Sequence, residues 1–306
     1  MSKVGYVFDP YMCKHECMTD EHPESPNRIL FIFRELIDQN LIGKMIPVKT
    51  RNATLEELKL AHDEKYINRL MKMSVYELNT SFNSIYANQF SIECALLAVG
   101  STLELTKNIL EGKLKSGVAI VRPPSHHSCK SEAMGFCFFN ATAIASIYAR
   151  NSGKKVAIVD FDIHYGNHAE TTIKDQKNIN FFSIHRYDNG KFYFGSGHPN
   201  KNFSNIFNFP LNNIIAGDKE YLEIFNKHII PNLKEKKPDI IIVSAGFDAA
   251  LGDPLGGYEV TPNGYSQMIK LLKSVCPHLC LVLEGGYNLN SISKSMAECV
   301  KILLSE

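Results

Sequence analysis

Residues 156–170 read VAIVDFDIHYGNHAE. Four apolar residues lead into Asp160, Asp162 and His164 at every second position, with Phe161 and Ile163 between them. In a strand, side chains at i, i+2 and i+4 share one face, whereas on a helix i and i+2 diverge. Two carboxylates side by side at the end of a buried strand repel each other unless something cationic sits among them. A divalent metal is the economical explanation. Taken with Asp248, which ends another apolar run, Asp162 and His164 make a one-imidazole, two-carboxylate set suited to Zn²⁺ or Fe²⁺, with a position left for water. The plainer alternative is that each strand-end Asp caps a helix or satisfies a turn.

Working outward, similar runs recur: GYVFD (5–9), SGVAIVRPP (116–124), KVAIVDFD (155–162), INFFSIH (179–185), DIIIVSAG (239–246) and CLVLEGG (280–286). They are apolar on both faces and bounded by turn residues. Helical periodicity lies between them, at 24–40, 54–73, 90–112, 138–151, 217–235 and 261–275. Such alternation predicts an α/β fold, a central parallel sheet with helices on both faces, whose ligands bind beyond the carboxyl ends of the strands. The residues just after the strands are therefore the ones to inspect: His126 and His127, Asp160 to His164, His185, Asp248, and Tyr287 behind two glycines.

The chain has 306 residues, 44% of them hydrophobic, and 33 basic against 32 acidic residues. No net field would hold a polyanion, and no affinity for nucleic acid or membrane is expected from charge. No repeat or low-complexity linker divides the sequence, so residues 1–306 are expected to form a single domain. The N-terminus lacks the basic and apolar regions of a Sec-type leader, and no stretch nears 18 uninterrupted apolar residues. Eight scattered cysteines, several inside apolar runs, fit a reducing compartment, cytoplasmic or nuclear. Cys13 and Cys17 near His15 and His22 have no second C-x-x-C partner, and with Cys276 and Cys280 they read as structural thiols rather than a zinc site.

VRPPSHHS (121–128), MGFCFFNATAIA (134–145), VDFDIHYGN (159–167), SIHRYDNGKFYFGSG (183–197), SAGFDAALGDPLGG (244–257) and LEGGYNLNSIS (283–293) resemble, in order and spacing, the signature segments of the zinc-dependent histone deacetylases. The likeness is to class II, especially the tubulin-deacetylase type of catalytic domain. It extends through HPESPNRIL (22–30) and SFNSIYANQFSIECALLAVG (81–100), covering essentially the whole chain.

The resemblance implies the arginase-deacetylase fold and a zinc ion on Asp162, His164 and Asp248. It makes His126 and His127 the acid/base pair, with His127 the principal proton shuttle, Asp160 orienting His126, and Asn167 partnering His127. Tyr287 takes the place of the tyrosine that donates to the acyl oxygen, where some class II members carry His and are feeble deacetylases. Phe136 and Tyr193 fall where two aromatics wall the acyl-lysine tunnel, and Gly135 and Leu255 on its lining and rim. Ser84 matches a rim serine accepting the acyl-lysine N–H, and Arg28 an arginine below the site that helps acetate leave. A structural potassium ion would be held by backbone carbonyls around Asp160, Asp162 and His164, with Ser183 and Ile184. The implied reaction is metal-assisted hydrolysis of acyl-lysine in histone, tubulin or other proteins.

Some positions depart from the family pattern. Ser125 replaces a Gly before the His pair, Tyr165 the second His of the DVHHGNG segment, and His168 its final Gly, which predicts local backbone shifts. Tyr193-Phe194 stands where Phe-Pro is common, which predicts a reshaped tunnel mouth. Acetylpolyamine hydrolysis is a rival activity, but its selective eukaryotic relative carries a glutamate where this chain has Leu255, together with an acidic insert not found in CMTDEHPESP (17–26). A non-catalytic acyl-lysine binder is the rival from another class, and it would need neither the ligand set, the His pair nor Tyr287.

Overall fold

A computed structural model describes residues 3–17, 21–198, 202–212 and 214–305. Residues 18–20 of the segment inspected for an acidic insert lie outside the described residues. Eight strands, β1 (Val4–Phe8), β2 (Ile46–Pro47), β3 (Ser116–Ile120), β4 (Val156–Asp160), β5 (Ile179–Arg186), β6 (Ile206–Leu211), β7 (Ile240–Ala245) and β8 (Leu279–Leu283), form one sheet in the order β2-β1-β3-β8-β7-β4-β5-β6. Every pairing is parallel. All residues of β3, β4, β7 and β8 are buried, as strands covered on both faces must be.

The five strands whose ends carry the inspected residues, β3, β8, β7, β4 and β5, are contiguous in that order. Their carboxyl ends form one continuous rim, and at the adjacent strands β7 and β4 the chain leaves in opposite directions, from β7 to β8 and from β4 to β5, the kind of switch point where open sheets hold ligands. The two strands with no counterpart among the predicted runs, β2 and β6, are the sheet's edges. β2 is two residues long, and β6 is only half-buried and carries Pro210, which an edge tolerates.

Helices depart from the predicted stretches in four places. The stretch 54–73 splits into Leu55–Leu58 and Glu64–Leu70. His62 is pinned there to the loop beyond β3, its Nδ1 lying 3.0 Å from the Cys129 carbonyl while its Nε2 accepts from the Asn140 amide at 2.9 Å. In 217–235 a π turn, Phe225–Ile229, interrupts the helix just before Pro231, which has no N–H to return to the preceding turn. Val75–Ser81 and Leu289–Leu304 are additional. Asn140 caps the helix Ala141–Asn151 by accepting from the Ala143 amide, and its Nδ2 donates to the Ser128 carbonyl. One side chain thereby ties that helix to the segment bearing the His pair.

Candidate active site

β4 ends at Asp160 and its chain continues along the rim, so Asp162 and His164 arrive beside Asp248, three residues beyond β7. One ligand atom from each of Asp162, His164 and Asp248 lies within 4.8 Å of the others, and no other group of three or more His, Cys, Asp or Glu is drawn together in this way among the described residues. His164 Nδ1 is 2.9 Å from Asp248 Oδ2 and 3.3 Å from Asp162 Oδ1. The opposite carboxylate oxygens are held from behind: Gly285 N donates to Asp162 Oδ2 at 2.8 Å and Ile163 N to Asp248 Oδ1 at 2.8 Å. A Cβ on Gly285 would lie 2.5 Å from Asp248 and 2.6 Å from Asp162, so only glycine admits both carboxylates there.

These groups fit a divalent cation of the zinc or iron(II) type by donor chemistry, two carboxylates and one imidazole nitrogen converging on a point. Their proton affinities agree. Burial disfavours the imidazolium of His164, yet Asp162 and Asp248 overcome it and raise His164 to about 9. Burial, reinforced by the charge of Asp162, pushes the Asp248 carboxyl up. Two carboxylates that hold an imidazolium between them in a buried site carry negative charge that a cation can neutralise.

The His pair leaves β3 through Pro123 and Pro124. His126 Nδ1 is 3.1 Å from Asp160 Oδ2, and its ring centroid is 4.0 Å from that of His127. His127 Nδ1 lies 2.8 Å from Asn167 Oδ1. Burial lowers both imidazoles, but Asp162 and Asp160 outweigh it at His126, which rises to about 10. At His127 burial is joined by the neighbouring His126 and His164, and its pKa falls well below the ordinary value. The two adjacent imidazoles therefore differ in proton affinity, His126 the higher and His127 the lower. Gly135, at φ +54°, lies against the second ring: a Cβ there would be 2.5 Å from His127 Cδ2.

Tyr287 follows β8, half-buried, with the Arg28 guanidinium carbon 5.0 Å from its ring centroid. Arg28 is fully buried and donates to the carbonyls of Gly286 and Glu284. Phe136 meets Tyr287 edge-on at 6.1 Å. Tyr193 packs on the histidines, 4.7 Å from the His127 ring and 5.2 Å from that of His164. Its hydroxyl comes within 3.1 Å of His127 Nδ1, and Phe194 beside it is 79% exposed. Ser84 is exposed, and its carbonyl accepts from the Phe136 amide at 2.8 Å. Leu255 is 37% exposed. Ser183 pairs in register with Asp160, while Ile184 is buried in β5.

His185 does not join the centre. It is buried within β5, its Nδ1 2.9 Å from Ser183 Oγ and its Nε2 2.9 Å from the Gly197 carbonyl, so it anchors the loop that carries Tyr193. The side chains at 125 and 168 are both hydrogen-bonded. Ser125 gives its amide (2.6 Å) and hydroxyl (2.5 Å) to the Glu284 carboxylate, and His168 Nδ1 lies 2.8 Å from the His126 carbonyl. Tyr165 is buried against Phe181 and His185. His15 lies stacked on Tyr86, and among the described residues no disulfide joins any of the eight cysteines.

Several supporting residues escaped the sequence reading. Glu284 also accepts from His126 N at 3.0 Å and Thr142 Oγ1 at 3.1 Å. Glu24 joins Arg28 (3.0 Å) and Arg122 (2.8 Å) in a fully buried group beneath Tyr287. Arg186 lies over the Phe192 ring, which stacks on His164, and donates to the Gly256 carbonyl at 2.8 Å. The available signal was a charged residue adjoining an apolar strand, as in LVLE (281–284).

The pattern describing the histone deacetylase domain matches residues 22–303. Among curated relatives, Histone deacetylase 18 of Arabidopsis thaliana is 40% identical over 99% of this chain and 48% of its own length. Histone deacetylase HDA1 of Candida albicans is 37% identical over 99% of this chain and 41% of its own, and human Histone deacetylase 9 is 36% identical over 99% and 34%. The chain therefore spans about half or less of the length of these relatives. The crystal structure of the HDA15 HD domain superposes with a TM-score of 0.93 at 36% identity, covering 99% of this chain and 88% of that one. With that neighbour, the eight-stranded parallel sheet and its flanking helices are the arginase-deacetylase fold. A match over nearly its whole length places this chain in the histone deacetylase family, among the HDA1-type class II members.

Proposed function

We propose that this chain is a zinc-dependent lysine deacylase that hydrolyses the amide of N6-acetyl-lysine in proteins to lysine and acetate. The observation that carries the proposal is the buried Asp162–His164–Asp248 group on the same rim as the His126–His127 pair and Tyr287. Zinc, or iron(II), held by those three residues would supply Lewis-acid polarisation of the acyl carbonyl and lower the pKa of a water toward ~7.

The chain's own residues do the rest. His127 takes the proton of the attacking water at Nε2, its Nδ1 being occupied by Asn167, and returns it to the departing lysine nitrogen. His126, oriented by Asp160, holds a proton beside it. Tyr287 donates to the acyl oxygen as negative charge develops there. Phe136 and Tyr193 flank a slot for the flat, neutral acyl-lysine stem, with Gly135 and Leu255 on its lining and rim, since desolvating a free lysine there would be costly. Ser84 accepts the acyl-lysine N–H, and Arg28 draws the acetate away beneath Tyr287. A structural potassium ion at the carbonyls of Asp160, Asp162 and His164, with Ser183 and Ile184, belongs to the same proposal, supported by the register that pairs Ser183 with Asp160. The substrates we propose are acetylated histones, tubulin or other exposed lysines, met in the cytoplasm or nucleus. No helix among the described residues is long and apolar enough to cross a membrane.

The test is turnover of a fluorogenic acetyl-lysine peptide beside N8-acetylspermidine by zinc-loaded protein, with Tyr287→Phe as control. Peptide turnover that collapses in the variant is the expected result. Preference for the polyamine would overturn the protein-substrate assignment, and silence on both with metal bound would overturn hydrolysis of acetyl groups.

A further inference from the structure

Asp253 has no place in the chemistry described so far, yet it joins two loops that do. It lies in the loop after β7, five residues beyond Asp248, and is almost fully buried. Both carboxylate oxygens are taken up by backbone amides. Oδ2 accepts from Tyr287 N at 2.6 Å and Asn288 N at 3.2 Å. Oδ1 accepts from Leu255 N at 2.9 Å and Gly256 N at 3.2 Å. One charge therefore satisfies four donors, two from the segment that presents the Tyr287 phenol and two from the rim segment of Leu255.

Two further bonds run between the same segments. Asn288 Nδ2 donates to the Gly252 carbonyl at 2.9 Å, and Ser291 Oγ to that of Leu251 at 2.7 Å. The carboxylate also lies at the start of the 16-residue helix Leu289–Leu304, where the macrodipole favours negative charge. A carboxylate is the right group here because each oxygen faces two N–H donors. An amide would turn its own NH₂ toward one of those pairs and lose it.

We infer that Asp253 is a positioning residue for the hydrolysis, setting the place of the Tyr287 phenol relative to the Asp162–His164–Asp248 centre and fixing it to the Leu255 rim. The inference rests on the acyl-lysine hydrolase reading. On it, the oxygen-polarising group and the tunnel mouth move as one unit, and loosening the joint costs the chemical step more than substrate binding.

A double-mutant cycle of Asp253→Asn with Tyr287→Phe, followed by acetyl-lysine peptide turnover with zinc-loaded protein, separates positioning from general loop stability. Asp253→Asn is expected to lower kcat roughly 10- to 100-fold with KM changed less than about threefold. In the Tyr287→Phe background the same substitution should cost less than about threefold, because the group it positions is already gone. An equal loss in both backgrounds, or a change in KM alone, overturns the inference. Should Asp253→Asn fail to fold, Asn288→Ser removes the bond to Gly252 while keeping a capping oxygen, and non-additivity with Tyr287→Phe is read from it in the same way. Wild-type protein that turns over no acetyl-lysine would sink the hydrolase reading and this inference with it, whereas an additive cycle on an active enzyme sinks this inference alone.

Discussion

The Tyr193 hydroxyl and the Asn167 side-chain oxygen converge on a single atom, His127 Nδ1, at 3.1 and 2.8 Å. A hydrogen on Nδ1 can be shared between two oxygens, and it leaves the Nε2 lone pair free for a proton from water. Phenol donation to a bare Nδ1 would instead place the hydrogen on Nε2 and turn the Asn167 oxygen toward a lone pair. The first arrangement satisfies all three groups. Tyr193→Phe keeps the aromatic ring and removes one acceptor, so kcat should fall about 2- to 10-fold, the worth of one neutral hydrogen bond, with KM nearly unchanged. Steady-state kinetics check this, and an unchanged or higher kcat would mean that the hydroxyl is idle.

Buried histidines set an acid limit on stability. His62 and His185 are each lowered to about 4, His15 and His168 to about 3, all chiefly by burial. At His62 the geometry explains why: Nε2 accepts from the Asn140 amide and would have to abandon that bond to take a proton. The unfolded chain protonates these rings near 6.5, so between about 4 and 6.5 the unfolded state binds more protons and stability falls as pH falls. Each ring contributes a slope of about 1.4 kcal/mol per pH unit in that window. Urea midpoints at pH 7.5, 6.5 and 5.5 should show a small change over the first step and a large loss over the second. A flat profile would mean that the rings are protonated in the fold.

Asp162, His164 and Asp248 predict that bound metal stabilises the fold as well as serving chemistry. Chelation should abolish turnover and lower Tm, and zinc or iron(II) should restore both, with metal at 100-fold over its Kd contributing about 2.7 kcal/mol. Asp248→Ala should lose the metal-dependent rise in Tm, measured by calorimetry with and without zinc. A Tm indifferent to metal in the wild type would count against the site.

Much of this centre was legible because strand periodicity places alternate residues on one face, and Asp160, Asp162 and His164 announce themselves by breaking an apolar run. The five site-bearing strands were equally visible, being buried on both faces. The edge strands were not, since β6 carries Asn208 and Pro210 among its apolar residues and β2 is two residues long. Least legible were the charges that hold the site from behind. Glu24 meets Arg122 across 98 residues of sequence, and Glu284 meets Ser125 across 159. No local period marks such a pairing. Asp253 sits in the GDPLGG segment (252–257), where nothing local marks its partner, and only the fold brings the Tyr287 amide to it.

Glu24 carries the last prediction. Its carboxylate is fully buried, bonded to Arg122 through two nitrogens and to Arg28 through one, and it accepts from the Tyr86 hydroxyl at 2.6 Å. Burial opposes its charge, but the guanidinium groups of Arg122 and Arg28 prevail and hold it well below the usual carboxylate range. Its contribution is therefore present above the ordinary carboxylate pKa and is lost only as pH falls far below it, outside the histidine window. Removing the charge leaves two buried guanidinium groups uncompensated, so Glu24→Gln should cost about 3–5 kcal/mol. Arg28 would lose an anchor while still holding the carbonyls that flank Gly285, and turnover should fall along with stability. Denaturation of the variant at pH 7.5 measures the first and peptide kinetics the second. A loss below about 1 kcal/mol would show that the two arginines find other partners.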